Sequence, residues 1–388
     1  MIDFELEPAL ATLRDRVRAF VNTEVIPREP EVVRDHASLE RVRRELQAQA
    51  RAAGLFLPTA SKELGGLGLS WRGVAVVLEE AGRSLLGPQA LNAAAPDEGN
   101  IHLLAQVTNT AQRKRYLRPL AAGEVRSCFA MTEPMPGAGS DPKLLRTRAE
   151  KRDSGWVLDG EKWFITGFEG AAFALVLARA PEGPTLFLVD VGTPGLELIR
   201  PIPTLDHLSP GGHCQIRFAN CQVPNEAVLG EPGKGFDYAQ VRLVPARLTH
   251  CMRWLGVAVR SMEIASRYAV ERTSFGHTLS EHQSVQNFVA DSEIEIHAAR
   301  LMIWHAAWLL DRGEAARNES SMAKVFVAEM VNRVVDRAVQ ICGALGISED
   351  TQLSIFYREA RPFRIYDGPS EVHRGAIARR ALRRGTAS

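Results

Sequence analysis

Five cysteines in 388 residues, none spaced as Cys-x-x-Cys, write neither a zinc ribbon nor a dithiol redox motif into this chain. Cys128, Cys214, Cys221, Cys251 and Cys342 are expected to be buried free thiols of a protein kept in a reducing compartment. Neither sign of charge prevails. With 47 basic residues against 46 acidic ones the formal net charge is +1, so a nucleic acid or an anionic membrane would have to find a local patch. Lysine is scarce, 7 against 40 arginines, a bias of composition from which no function is read. The first ten residues carry Asp3, Glu5 and Glu7 where a signal peptide needs a basic start and an apolar run. The longest apolar stretches, 171–178 and 301–310, fall well short of the ~20 residues needed to cross a bilayer. A cytoplasmic protein with no membrane insertion is the expectation. Gly65-Gly66-Leu67-Gly68 and Gly137-Ala138-Gly139 fit neither the Walker spacing nor a strand-to-helix GxGxxG, and no repeat of fixed period is visible.

What is present is an ordinary globular composition, 45% hydrophobic and 24% charged, in a chain too long for one core; about two or three domains are expected. Leu10, Leu13, Val17 and Phe20 recur at helical spacing, as do Leu39, Val42, Leu46 and Ala50, and then Val74, Val77, Ala81 and Leu85. Residues 1–125 therefore read as an N-terminal helical domain. The texture changes after Glu124. Trp156-Val157-Leu158 runs into Asp159-Gly160, a turn signal that predicts a hairpin returning through 163–166. Further short apolar runs at 173–177, 185–189, 196–199 and 216–218 complete a middle β domain over 126–232. Beyond Gly230-Glu231-Pro232-Gly233 the helical period resumes. Ile294, Ala298, Leu301 and Trp308 are expected on one buried face, and Val325, Val331, Val335 and Val339 on another, so 233–388 reads as a bundle. The fold class is α+β, mostly α: helical, then β-barrel-like, then a four-helix bundle. Trp304 and Trp308 read as core.

Phe129-Ala130-Met131-Thr132-Glu133-Pro134 followed by Gly139-Ser140-Asp141 resembles the acyl-CoA dehydrogenase family. Four later motifs agree in order: Lys162-Trp163-Phe164-Ile165-Thr166, Arg272-Thr273-Ser274-Phe275-Gly276 with Leu279 and His282-Gln283, Gln340 to Gly346, and Ile365-Tyr366-Asp367-Gly368. The resemblance implies FAD bound in extended form between the β domain, the bundle and a neighbouring subunit, hence a homodimer or homotetramer. It implies that Thr132 and the backbone at Phe129 and Met131 meet the pyrimidine edge of the flavin ring, that Phe164 covers the ring and that Thr166 bonds near N5. Hydroxyl and backbone donors suit a ring that gains electron density at N1 and N5 on reduction. Arg272, Phe275, Leu279, His282 and Gln283 would reach the partner's FAD pyrophosphate and adenosine, Arg offering the fork geometry a diphosphate accepts. Gln340 and Gly343 would serve the same remote site, where Ala344 stands for a second glycine and its methyl crowds the approach. Outside the family frame Thr132 could cap a turn, Phe164 fill core and Arg272 be a solvated surface residue.

The implied reaction is α,β-dehydrogenation of an acyl-CoA to a trans-2-enoyl-CoA, as in fatty acid β-oxidation, with electrons passed to an electron-transfer flavoprotein. It needs one carboxylate to take the α proton. At the position of the family's glutamate stands Asp367; the other position that some members use holds Ala246. A free aspartate, at ~3.9, is a weak base for a carbon acid, so burial by acyl chain and flavin must strengthen it. Alone, Asp367-Gly368-Pro369 would read as a turn. Ser140 would line the pantetheine path, on a loop that Met135 and Pro136 lengthen. Arg247, Tyr366 and Gly368 would wall the substrate, and Ser370, after Pro369, would bond the flavin phosphates. Gly211-Gly212-His213, Thr249 to Arg253 and Gly368 to His373 look like the branch whose animal members are fused to a kinase-like domain. His213, His250 and His373 read as pocket or satisfied core histidines, and their spacing makes no metal site. Two alternatives stand beside this reading: a flavin oxidase on the same scaffold, including a nitroalkane-type oxidase, and a catalytically silent flavin-binding assembly protein.

Overall fold

A computed structural model describes residues 4–385. In chain order the main helices are α1 (Pro8–Phe20), α2 (Leu39–Ala52), α3 (Trp71–Ala81), α4 (Asp97–Val107), α5 (Gly235–Glu271), α6 (Gln283–Asp311), α7 (Arg317–Cys342), α8 (Leu353–Ala360) and α9 (Ser370–Gly385). The strands are β1 (Ser127–Ala130), β2 (Arg148–Arg152), β3 (Gly155–Thr166), β4 (Phe173–Ala180), β5 (Gly183–Asp190), β6 (Leu196–Pro201), β7 (His213–Pro224), β8 (Val228–Leu229) and the short pair β9 (Thr273–Ser274) and β10 (His277–Thr278). Chain segments gather into two compact units, one of residues 1–38, 69–91 and 247–388, the other of 39–68 and 92–246. The order helical, sheet, helical is the expected one, and no helix among the described residues is long and apolar enough to cross a membrane.

In the first unit α7 packs with α6, α8 and α9. Its apolar stripe buries Val327, Val331, Val334 and Val335, each removing side-chain surface worth roughly 1.5–3 kcal/mol. Ser70 caps α3 by accepting from the Gly73 amide at 3.1 Å. The next contact needs two glycines. A Cβ on Gly82 would lie 2.2 Å from the Arg253 carbonyl oxygen, and one on Gly256 2.1 Å from that of Glu79, so here α5 meets α3 backbone to backbone. Buried charge also sits in this unit: Arg260 forks Glu29 at 2.6 and 2.7 Å, and Ser84 donates to the same carboxylate at 2.6 Å. The expected stripe on α6 is corrected. Ile294 is 67% exposed, and the buried residues are Ile296, Ala299, Ile303 and Ala306. α6 is apolar on much of its circumference, so period alone picks the wrong face. Trp304 and Trp308 are only partly buried, beneath Arg72 and Arg312 at 5.2 and 4.8 Å.

The second unit is built on a mixed sheet ordered β6-β7-β3-β2-β4-β5-β8, with β1 added parallel to β4. β4 is buried at seven of its eight positions, as a central strand covered on both faces should be. Trp156 and Phe187 meet edge to face at 5.4 Å in the core. Asp159-Gly160 is not the predicted turn. β3 continues through it with a bulge, because Asp159 Oδ1 accepts from the Asn220 amide at 2.7 Å and Gly160 lies 2.7 Å, measured from an added Cβ, from the Thr147 backbone. The hairpin closes earlier, at Asp153-Ser154, pairing β2 with β3 from Arg152↔Gly155. All five cysteines are buried free thiols.

Candidate functional site

The sheet unit gathers the residues singled out near β1 and β3. After β1 the chain turns at Thr132, whose carbonyl accepts from the Trp163 amide at 3.0 Å. Beneath this turn Lys162, fully buried, donates to the Met131 carbonyl at 3.0 Å and to Glu133 Oε1 at 2.8 Å. The Glu133 carboxylate also accepts from the amides of Ala138, Arg146 and Thr147 at 3.1, 2.7 and 2.8 Å. Burial opposes its charge, but the Lys162 ammonium and the hydrogen bonds from Lys162 and Thr147 outweigh burial and bring the carboxyl down to about 2. One buried ion pair thus fixes the backbone of Met131 and Thr132 and ties down the loop over 133–147. That loop leaves Met135 89% exposed and Ser140 exposed.

Phe164 stands at a left-handed φ of 51° on β3 and is 46% exposed, its ring edge-on to Trp163 at 4.9 Å. A bulky side chain held in that backbone region with its face in the open is strained and apolar at once, which suits a ring-covering residue. Phe129 is partly buried beneath the Arg242 guanidinium at 4.2 Å. Thr166 Oγ1 lies 3.0 Å from His213 Nδ1, and His213 Nε2 lies 3.0 Å from Asp206 Oδ2. Near the loop, a cavity of about 280 Å³ is lined by Lys143, Arg146, Arg148 and Arg179 with Pro136, Leu144 and Leu145, and by no carboxylate. Arg148 and Arg179 are direct partners across neighbouring strands, an arrangement of like charges that costs stability.

The helical unit presents a second constellation, the turn between α8 and α9. Asp367 has φ 53° and Gly368 φ 96°. The Asp367 carbonyl accepts from Arg247 Nε at 2.9 Å and from His373 Nε2 at 3.1 Å, while the Gly368 carbonyl accepts from Lys324 Nζ at 2.7 Å. Three side chains therefore grip the backbone of the turn. Asp367 Oδ2 is buried and accepts no hydrogen bond, with His250 Nε2 at 3.3 Å. A Cβ on Gly368 would strike His373 Nε2 at 2.7 Å. Tyr366 accepts from Trp254 Nε1 at 2.7 Å and packs on the His250 ring at 4.9 Å. Burial pushes His373 down to about 4 and Lys324 down to about 8. Ser370, 1% exposed, opens α9.

Elsewhere in this unit Arg272, Phe275, Gln283, Gln340 and Gly343 are exposed, and Leu279 and His282 partly so. Phe275 is 94% exposed at φ 54° in the β9–β10 turn, costly in both water contact and backbone. Lys324, Trp254 and Asp206 were not legible as site residues. A lysine set among Ala323, Val327 and Ala328 on one helix was the available signal for the first. Among the described residues no group of three His, Cys, Asp or Glu is placed to hold a metal ion.

Three family domains match the chain in order: acyl-CoA dehydrogenase N-terminal domain over residues 7–124, middle domain over 128–221 and C-terminal domain over 233–382. The Mycobacterium tuberculosis protein named "Probable acyl-CoA dehydrogenase FadE2" is 38% identical over 351 residues, 88% of this chain and 85% of that one. Acyl-CoA dehydrogenase family member 10 of Mus musculus is 36% identical over 97% of this chain, which spans only 37% of the mouse protein's length. The solved structure of butyryl-CoA dehydrogenase from Megasphaera elsdenii superimposes with a TM-score of 0.86 at 28% identity, covering 98% of this chain and all of that one. On the three domains and these relatives, the chain belongs to the acyl-CoA dehydrogenase family.

Proposed function

We propose that this protein is an FAD-dependent acyl-CoA dehydrogenase that converts an acyl-CoA thioester to the trans-2-enoyl-CoA and passes the electrons to an electron-transfer flavoprotein. The observation that carries the reading is the Asp367 turn: its backbone is held by Arg247, His373 and Lys324 while the buried Oδ2 accepts no hydrogen bond. An oxygen so placed is available to take a proton, and a fixed turn spares the reaction the entropy of aiming it.

The residues present fit the cofactor. Phe164 offers an open aromatic face, Thr132 and Thr166 offer hydroxyls on the same unit, and the backbone between them is immobilised by Lys162 and Glu133. When bound, FAD supplies the two-electron acceptor, taking the β hydrogen with its electron pair, which no side chain of this chain can do. Asp367 accepts the α proton, Arg247 and Lys324 keep its turn in place, and Phe164 excludes water. The cationic cavity of Lys143, Arg146, Arg148 and Arg179 suits the phosphates of coenzyme A, and Ser140 lies on the same loop. Exposed Phe275, with Arg272, Gln283, Gln340 and Gly343, supports a homo-oligomer in which these residues serve a neighbouring subunit's FAD.

Anaerobic titration of the FAD-loaded protein with acyl-CoAs of graded length tests the reading. Bleaching of the yellow flavin by one range of chain lengths, with enoyl-CoA as product, is expected. FAD that stays bound but unbleached at every length would overturn the reading, and rapid dioxygen consumption during turnover would replace the dehydrogenase by an oxidase.

A further inference from the structure

Thr166 and His213 are direct partners across the antiparallel strands β3 and β7, and the loop over 202–212 folds back so that Asp206 reaches the far side of the His213 ring. The loop is fixed at several points. Ile202 donates to the His213 carbonyl at 2.7 Å, Gly167 to that of Gly212 at 2.8 Å, and Arg126 to that of Pro210 at 2.9 Å. Gly211, at φ 75°, has no room for a side chain, since a Cβ would lie 2.1 Å from the Glu169 carbonyl. His213 and Asp206 side chains are each 14% exposed. Asp206 contacts the ring, and Arg126, paired with Glu40 at 3.3 Å, spends its donors on the carbonyls of Gly167, Glu169 and Pro210.

The hydrogen bonds of this row can run in only one direction when the imidazole is neutral. A carboxylate only accepts, so His213 Nε2 carries the hydrogen toward Asp206. Nδ1 is then a bare acceptor, and the bond at 3.0 Å requires Thr166 to donate its hydroxyl hydrogen to it. The lone pairs of the Thr166 oxygen are what remain for anything docked against this edge. A tie between two strand ends needs only the threonine and the histidine; the carboxylate adds a fixed polarity.

We propose that Asp206 and His213 are a positioning pair that makes the Thr166 hydroxyl a hydrogen-bond acceptor, so that this edge of the site selects a ligand N–H over a bare ring nitrogen. The inference rests on the reading of Thr166 against flavin N5. The reduced ring carries a hydrogen at that nitrogen and the oxidised ring does not, so the pair favours the reduced form.

Nitrogen-15 NMR of histidine-labelled FAD-loaded protein reads the tautomer of His213, and spectroelectrochemical titration of the same sample reads the relative affinity for reduced and oxidised flavin. The expected wild-type result is hydrogen on Nε2 with Nδ1 bare. In whichever of Asp206→Asn and Asp206→Ala loses that tautomer, the preference for reduced over oxidised flavin falls by about three- to tenfold, one neutral hydrogen bond, and Asp206→Glu recovers part of it. Hydrogen on Nδ1 in the wild type, a tautomer unmoved in both variants, or a tautomer that moves with no change in preference would overturn the proposal. A chain that binds no flavin would sink the cofactor reading and the ligand half of the proposal together, whereas the same NMR measurement on that flavin-free protein still reads the tautomer.

Discussion

Replacing Glu133 by glutamine changes one oxygen for an amino group in the buried pair under the Met131–Thr132 turn, and its cost follows from the contacts. Oε1 accepts from Lys162 Nζ and the Thr147 amide, Oε2 from the amides of Ala138 and Arg146. Whichever way the amide is turned, two donors face an NH₂ group that cannot accept, and Lys162 loses its counter-charge in a fully buried setting. Breaking a buried ion pair costs about 3–5 kcal/mol, and each stranded donor roughly 1–3 kcal/mol. These overlap, so a loss of at least about 4 kcal/mol is expected, a large part of a total stability of about 5–15 kcal/mol. Native-state amide exchange is the assay, because it reports the segment itself in a chain of more than one unit. The Arg146 and Thr147 amides should exchange roughly a thousandfold faster in Glu133→Gln, 1.4 kcal/mol being tenfold. Adding Lys162→Met should recover part of the protection by removing the unpaired charge. Less than a tenfold change in the single variant would refute the assignment of that pair as the anchor of the turn.

Arg148 and Arg179 face one another across strands beside the cationic cavity, so Arg148→Ala should stabilise the fold by about 0.2–1 kcal/mol. The same variant should raise KM for a CoA thioester several-fold with a weaker salt dependence; unchanged KM would remove the cavity from the substrate path. Acid should act through buried histidines. Burial pushes His373 and His102 down to about 4, below the ~6.5 of an unfolded histidine. Between those values the unfolded chain holds more protons, so stability is lost as pH falls from about 6.5 to about 4. His373→Gln should flatten that decline in melting temperature, and an identical slope would contradict it.

The helical stripe of α2 was readable because that helix has one wet face, so Leu39, Val42, Leu46 and Ala50 are buried as their spacing predicts. Period failed on α6, where Ile294 is outside, because a helix apolar on several sides carries no phase. Asp159-Gly160 misled because the same dipeptide serves a turn or a bulge, and only the neighbouring Asn220 and Thr147 decide between them. At the candidate site, motif order pointed to Asp367, Thr132 and Phe164, the residues the proposed function uses. Lys324 on the Gly368 carbonyl, Trp254 on Tyr366 and Asp206 on His213 come from remote positions in the chain, and no local pattern brings them to the turn or to His213.

The most direct test of the account is Asp367→Asn in the FAD-loaded protein. Asparagine tolerates the left-handed backbone at this position, so the turn and the bound yellow flavin should survive. The rate at which acyl-CoA bleaches the flavin should fall by about 10²–10⁴, the usual share of a general base. Bleaching at the wild-type rate would contradict the assignment of Asp367 and, with it, the proposed chemistry.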